Sequence, residues 1–170
     1  MEPQLAAPEP EELEEPLTAG DVAADFVQDV VDAMQMDAEV ELAENPTDGS
    51  WLVSVVGPES GDLIGKYGSG LNALQYLAGL VVLRQTGEHT RLVVDADSYR
   101  AKRHKALVDQ ALALAQEVAA AGQEAELDPL NAFERRIIHN ALANHPEVVT
   151  YSEGVDPDRR VIIAPRPPSG

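Results

Sequence analysis

Five glycines fall between positions 57 and 70 (Gly57, Gly61, Gly65, Gly68 and Gly70), and they separate a strand-like run from a helix-like one. Glycine loses more freedom on folding than any other residue. A cluster of this density therefore points to sharp turns or to backbone running close against something else. Before it, Trp51 to Val56 reads as a strand. After it, Leu71, Leu74, Leu77 or Ala78, and Val81 recur at helical spacing and mark a buried helix. Any fold for this chain must place a tight loop between those two elements.

The flanking sequence extends the pattern. Val22, Phe26, Val27, Val30, Val31 and Met34 alternate with Asp25, Asp29 and Asp32, as an amphipathic helix with an acidic outer face does. Glu39 to Ala43 alternates like a half-buried strand, and Asn45-Pro46-Thr47-Asp48-Gly49 turns it into Trp51–Val56 as a hairpin. Arg91 to Val94 is a third strand. Residues 21–95 thus read helix, strand, strand, short helix, glycine loop, helix, strand. Ser98 to Ala121 predicts a long helix with Leu107, Ala111, Leu114 and Val118 on one face and Gly122 at its C-terminus. Ala125 to Leu127 predicts a short strand. Asn131-Ala132-Phe133-Glu134 fits a capping box that opens a helix running to about Asn144. Val148–Tyr151 and Arg160–Ile163 predict two more strands. These readings divide the chain into a tail at 1–19, one domain at 21–97, a second at 98–165, and a loose end at 166–170, with no flexible linker near 97.

Charge argues at first against a polyanionic partner, since the net charge is −18. Its distribution does not. Residues 1–60 hold 16 acidic residues and no Lys or Arg, whereas residues 61–105 hold 7 basic against 4 acidic ones, a local net of 7 − 4 = +3. Phosphate responds to potential within about 8–10 Å, so the local balance matters more than the sum. The tail MEPQLAAPEPEELEEPLTA is too poor in large apolar residues to order itself. Cysteine is absent, which excludes disulfides and thiolate chemistry. His104, His139 and His145 form no nucleophile–base or metal-ligand pattern, so the reading is a protein that is not an enzyme, with no cofactor and no metal. Without a signal peptide or a long apolar run, the expected location is the cytoplasm. With aromatics at only 4%, the core must be built of Val, Leu, Ile and Ala.

A glycine loop ahead of a helix suggests an anion site, because free backbone N–H groups and the helix dipole both favour negative charge. The sequence fits neither common nucleotide loop. Gly65-Lys66 has Ser60 where a Walker loop needs glycine and Tyr67 where it needs Ser or Thr, and Gly68-Ser69-Gly70 lacks a third glycine. Ile64-Gly65-Lys66-Tyr67-Gly68, between helices and after a hairpin, resembles instead the signature loop of a KH domain, which would clamp about four nucleotides of RNA backbone. Tyr67 stands where a second basic residue often sits, giving less charge and a ring for stacking.

Arg135 and His139 lie four residues apart on the helix opened by Asn131, which places them on one face. With Thr150-Tyr-Ser-Glu-Gly154 and Arg159-Arg160-Val161, that segment resembles the R-3-H domain, named for Arg-x-x-x-His, whose Arg–His face is implicated in binding single-stranded nucleic acid. Arg135 would contact phosphate in a forked manner, His139 would donate a hydrogen bond, and Arg136 adds charge beside them. A KH domain followed directly by R-3-H is similar to the bacterial Jag family, also called KhpB or SpoIIIJ-associated. The resemblance implies an α+β fold, a type II KH domain (α-β-β-α-α-β) and then a small α/β R-3-H domain (α-β-α-β-β). It implies single-stranded RNA as ligand and a role as RNA chaperone or post-transcriptional regulator in cell-envelope and cell-shape control. It also implies a small KH-only protein as heterodimer partner and an indirect link to membrane-protein insertion. Many relatives carry a further N-terminal domain; here the acidic tail precedes the KH part, so the functions of that domain are not carried over.

The cluster Arg100, Lys102, Arg103, His104 and Lys105 has two readings, a solvated face or an extension of the RNA track. Lys102, Arg103 and Lys105 are the residues expected to carry the second. An alternative function is an adaptor that engages a protein partner through the acidic tail.

Overall fold

The computed structural model describes residues 17–167. The tail predicted for residues 1–19 therefore falls largely outside the described residues, as do Pro168, Ser169 and Gly170. The chain divides into two compact units, one ending at Asp97 and the other starting at Ser98.

In the first unit, α1 (Ala19–Ala33) begins two residues earlier than the apolar pattern predicts. Thr18 accepts a bond from Asp21 N–H at 3.1 Å while the Asp21 carboxylate accepts from Thr18 N–H at 2.8 Å. This capping box is worth about 1 kcal/mol and carries the helix back to Ala19. Val22, Ala23, Val27 and Val31 are buried, whereas Met34, at the C-cap, is exposed. Next come β1 (Glu39–Glu44), β2 (Trp51–Val56), a 3₁₀ turn at Ser60–Leu63, a second at Lys66–Gly68, α2 (Ser69–Thr86) and β3 (Leu92–Ala96). The short helix expected before the glycine loop is thus a single 3₁₀ turn, too closely hemmed by Gly57, Pro58 and Gly61 to propagate. The sheet order is β1-β2-β3, with β1 antiparallel and β3 parallel to β2. β3 pairs on one side only and is an edge. α2 buries Leu71, Leu74, Ala78 and Val82, leaving Leu77 exposed.

The second unit contains α3 (Tyr99–Ala121), β4 (Ala125–Glu126), α4 (Ala132–Leu142), β5 (Val148–Glu153) and β6 (Arg160–Pro165), with the antiparallel order β4-β6-β5. Its core joins Leu107, Ala111 and Val118 of α3 to Ile138 and Leu142 of α4 and to Val161 and Ile163 of β6. The residues expected to be loose at the C-terminus are partly held. Pro165 ends β6, and the Arg166 guanidinium donates to the carbonyls of Pro146, His145 and Val148 at 3.1, 2.7 and 3.1 Å. Those carbonyls lie in the turn after α4 and at the start of β5.

No aromatic side chain is among the buried core residues of either unit. The aliphatic core expected from composition is present; Phe26, Trp51 and Tyr99 are half-buried at its margins, and Tyr67, Tyr76, Phe133 and Tyr151 are exposed.

Candidate nucleic-acid interface

The loop in the first unit is shaped by steric necessity. Gly65 sits at φ 67°, and a Cβ there would lie 2.7 Å from Gly70 N. A Cβ on Gly70 would meet the Leu63 carbonyl oxygen at 2.2 Å, so the start of α2 presses directly on the preceding 3₁₀ turn. Tyr67 adopts the left-handed conformation at φ 53°, ψ 32°. For a side chain of that size this costs about 1–2 kcal/mol and marks a tip held in place by its surroundings.

The expectation of free amides at the start of α2 requires correction. Gly70 N–H and Leu71 N–H both donate to the Ile64 carbonyl (2.9 and 3.4 Å), and Gly68 N–H donates to Gly65 (3.3 Å). Ser69 N–H donates to Lys66. The 3₁₀ turns fold the loop under the helix end, so the chain's own carbonyls occupy the place predicted for an anion. What the loop presents instead is Lys66 and Tyr67, both exposed, with the Lys66 ammonium 5.4 Å from the Tyr67 ring centroid. Ile64 is half-buried and anchors the loop.

One turn beyond the loop, a groove of about 460 Å³ opens between α2 and the edge strand β3. Asn72, Tyr76, Gly79 and Leu80 line its helical side, and His89 and Leu92 line the other. Gln75 closes it, its side-chain oxygen accepting from Val94 N–H at 3.1 Å. Gly79 costs the helix about 0.5–1 kcal/mol relative to Ala, yet a Cβ there would meet nothing within 4 Å. The space it leaves is open to a ligand. Sequence reasoning missed this groove. The available signal was Asn72, Tyr76 and Gly79 at positions i, i+4 and i+7, a non-core stripe beside the apolar one.

In the second unit, Arg135 and His139 do share a face, as their spacing predicts, but that face is turned inward. Arg135 is only 7% exposed. One guanidinium nitrogen donates to the Leu130 carbonyl at 2.6 Å and to Asp156 Oδ1 at 2.7 Å, and the other approaches Asp156 Oδ2 at 3.5 Å. That hydrogen bond, with the charge of Arg135, holds the Asp156 carboxyl below its ordinary range. The His139 ring bridges two hydroxyls of β5, with Nδ1 2.7 Å from Thr150 Oγ1 and Nε2 2.9 Å from Ser152 Oγ. Residues 150 and 152 fall on one side of the strand, as the two-residue period requires. Burial, then the charges of Arg135 and Arg159, push the His139 pKa below 6.5, so at neutral pH the ring is an uncharged strut. Arg136, the neighbour of Arg135, is exposed.

The basic cluster divides in the same way. Arg103 is 2.7 Å from Glu134 Oε1. Glu134 is itself 4% exposed and completes the α4 capping box with Asn131. Lys105 pairs with Asp109 on its own helix. Lys102 is exposed and forms no ion pair among the described residues. Among those residues no three His, Asp or Glu side chains converge as a metal site, and no helix is long and apolar enough to cross a membrane.

Comparison with known proteins assigns the two units separately. A model of the KhpA/KhpB KH domain matches residues 21–94, and the R-3-H domain model matches residues 105–165. RNA-binding protein KhpB of Bacillus subtilis (strain 168) is 33% identical over 142 residues, covering 82% of this chain and 67% of the relative. The chain belongs to the KhpB family. RNA-binding protein KhpB of Clostridium symbiosum is 40% identical over 147 residues, or 86% of this chain and 66% of the relative. That of Lactiplantibacillus plantarum is 44% identical over 108 residues, covering 64% and 34% respectively. The chain thus spans between about a third and two thirds of the length of these KhpB relatives. The observed order α-β-β, 3₁₀ turn, loop, α-β followed by α-β-α-β-β is the KH and R-3-H succession that the sequence predicts.

Proposed function

We propose that this KhpB-family chain binds single-stranded RNA and acts without catalysis, as an RNA chaperone or post-transcriptional regulator. The observation that carries the reading is the exposed Lys66–Tyr67 tip one turn from the α2–β3 groove, whose floor is opened by Gly79. Lys66 meets a phosphate, and Tyr67 stacks on a base or ribose. In the second unit we assign direct phosphate contact to the exposed Arg136 and Lys102. Arg135, His139 and Arg103 hold the frame behind them, and Lys105 adds only screened charge. The relatives named RNA-binding proteins support the same ligand class. A small KH-only partner, cytoplasmic location and an indirect link to cell-envelope control and membrane-protein insertion belong to this proposal on the strength of the family resemblance.

The test is binding of the chain to a labelled single-stranded oligoribonucleotide and to its duplex, at several salt concentrations. The expected result is a clear preference for the single strand and an affinity that falls steeply with salt. Equal affinity for the duplex, or no binding at low salt, overturns the proposal.

A further inference from the structure

A second groove, of about 450 Å³, runs between α3 and α4 within the second unit. Val108 and Ile137 form its apolar floor, and Phe133, Arg136, Asn140 and His104 form its rim. Phe133 is 71% exposed, in a chain with only two phenylalanines. The capping box explains why the ring faces out. Asn131 and Glu134 use their side chains to close the start of α4, and the one-residue step from Glu134 places Phe133 on another side of the helix. The Arg103–Glu134 pair ties α3 to α4 at the same level, so the walls of the groove are fixed before any ligand arrives. No carboxylate lines it, although the chain carries 30 acidic residues.

An aromatic face, an amide and a guanidinium around an apolar floor, with negative charge excluded, match one nucleotide of a single strand. We propose that this groove binds an unpaired base stacked on Phe133, with Asn140 hydrogen-bonding the base edge and Arg136 holding the adjoining phosphate. The inference rests on the RNA-binding reading and adds a nucleotide subsite in the second unit, separate from both the Lys66–Tyr67 loop and the inward-facing Arg135–His139 pair. An apolar peptide would use the floor and ring, but it would leave Arg136 and Asn140 without partners.

The experiment is a residue-resolved NMR titration of the chain with a short single-stranded oligoribonucleotide, together with affinities for two variants. Shifts at Phe133, Arg136 and Asn140 are expected. Phe133→Ala should weaken binding about fivefold or more with the salt slope unchanged, because stacking is not electrostatic. Phe133→Trp should retain the affinity. The ring is largely solvent-exposed, so its removal leaves the fold in place. Shifts confined to residues 65–68 and the α2–β3 groove, with Phe133→Ala neutral, overturn this subsite while leaving RNA binding intact. Shifts nowhere overturn both readings. Groove shifts without loop shifts uphold the subsite and remove the loop assignment. Phe133→Ala that abolishes capture of an apolar peptide but leaves RNA affinity unchanged assigns the groove to protein binding and overturns the subsite.

Discussion

The Gly65–Gly68 loop and the Arg135–His139 helix are the two motif-bearing regions of the chain, and they treat their side chains in opposite ways. The loop spends its glycines on internal contacts and pushes Lys66 and Tyr67 into solvent. The helix buries Arg135 against a carbonyl and a carboxylate and half-buries His139 between two hydroxyls, leaving Phe133 and Arg136 outside. A motif therefore marks a local geometry, and what packs against it decides which of its side chains face solvent. In one unit the signature residues are the surface, and in the other they hold the surface up.

That contrast breaks down most visibly at Glu134. Glu134→Ala removes a buried carboxylate that both caps α4 and pairs with Arg103, and should cost the second unit about 3–5 kcal/mol. Hydrogen exchange of that unit's amides measures the loss, and values near zero would remove the frame role. Arg135→Ala leaves the Leu130 carbonyl without its charged donor and should cost about 2 kcal/mol. Arg135→Lys should recover little, because a single ammonium does not reproduce the fork to Asp156. If Arg135→Ala instead lowers RNA affinity with stability unchanged, Arg135 is itself a contact. The loop should answer in reverse. Lys66→Asp combined with Tyr67→Asp should reduce RNA affinity by about tenfold or more, with the melting temperature hardly altered.

Smaller effects sharpen the same contrast. Because the folded His139 pKa is lowered, the unfolded chain takes up its proton first as pH falls. Stability of the second unit is thus constant above about pH 6.5, decreases below it, and levels off beneath the folded value. Denaturation curves across pH 7.5 to 5 should show this step in the native protein and lose it in His139→Gln. Smallest of all, Lys102→Gln should flatten the log-affinity against log-salt slope by about 0.7, the value for one phosphate of a single strand. An unaltered slope removes Lys102 from the RNA path.

Much of this was legible in the sequence, for identifiable reasons. The capping box at Asn131–Glu134, the strand alternation at Trp51–Val56 and the Gly122 C-cap are local signals, and the elements they predict form. The glycine spacing marked the loop because its constraints lie within a few residues. The inward turn of Arg135 and His139 was not legible, since helical spacing gives a shared face but not what that face meets. Asp156, Thr150 and Ser152 reach it from 11 to 21 residues away. The α2–β3 groove was hidden for the same reason, since spacing along α2 does not show which strand lies beside it. Arg103 looked like a surface cation because Glu134, its partner, lies 31 residues on.

The placement of Trp51 has an experimental consequence. It is the chain's one tryptophan, and its ring lies where a Cβ on Gly20 of α1 would approach to 2.3 Å. Intrinsic indole emission therefore originates at the seam between α1 and β2, in the first unit. An unfolding curve followed by indole fluorescence is read from a probe in the first unit, whereas far-ultraviolet dichroism sums both. Any gap between the two midpoints reads out directly how independently the halves of this chain melt.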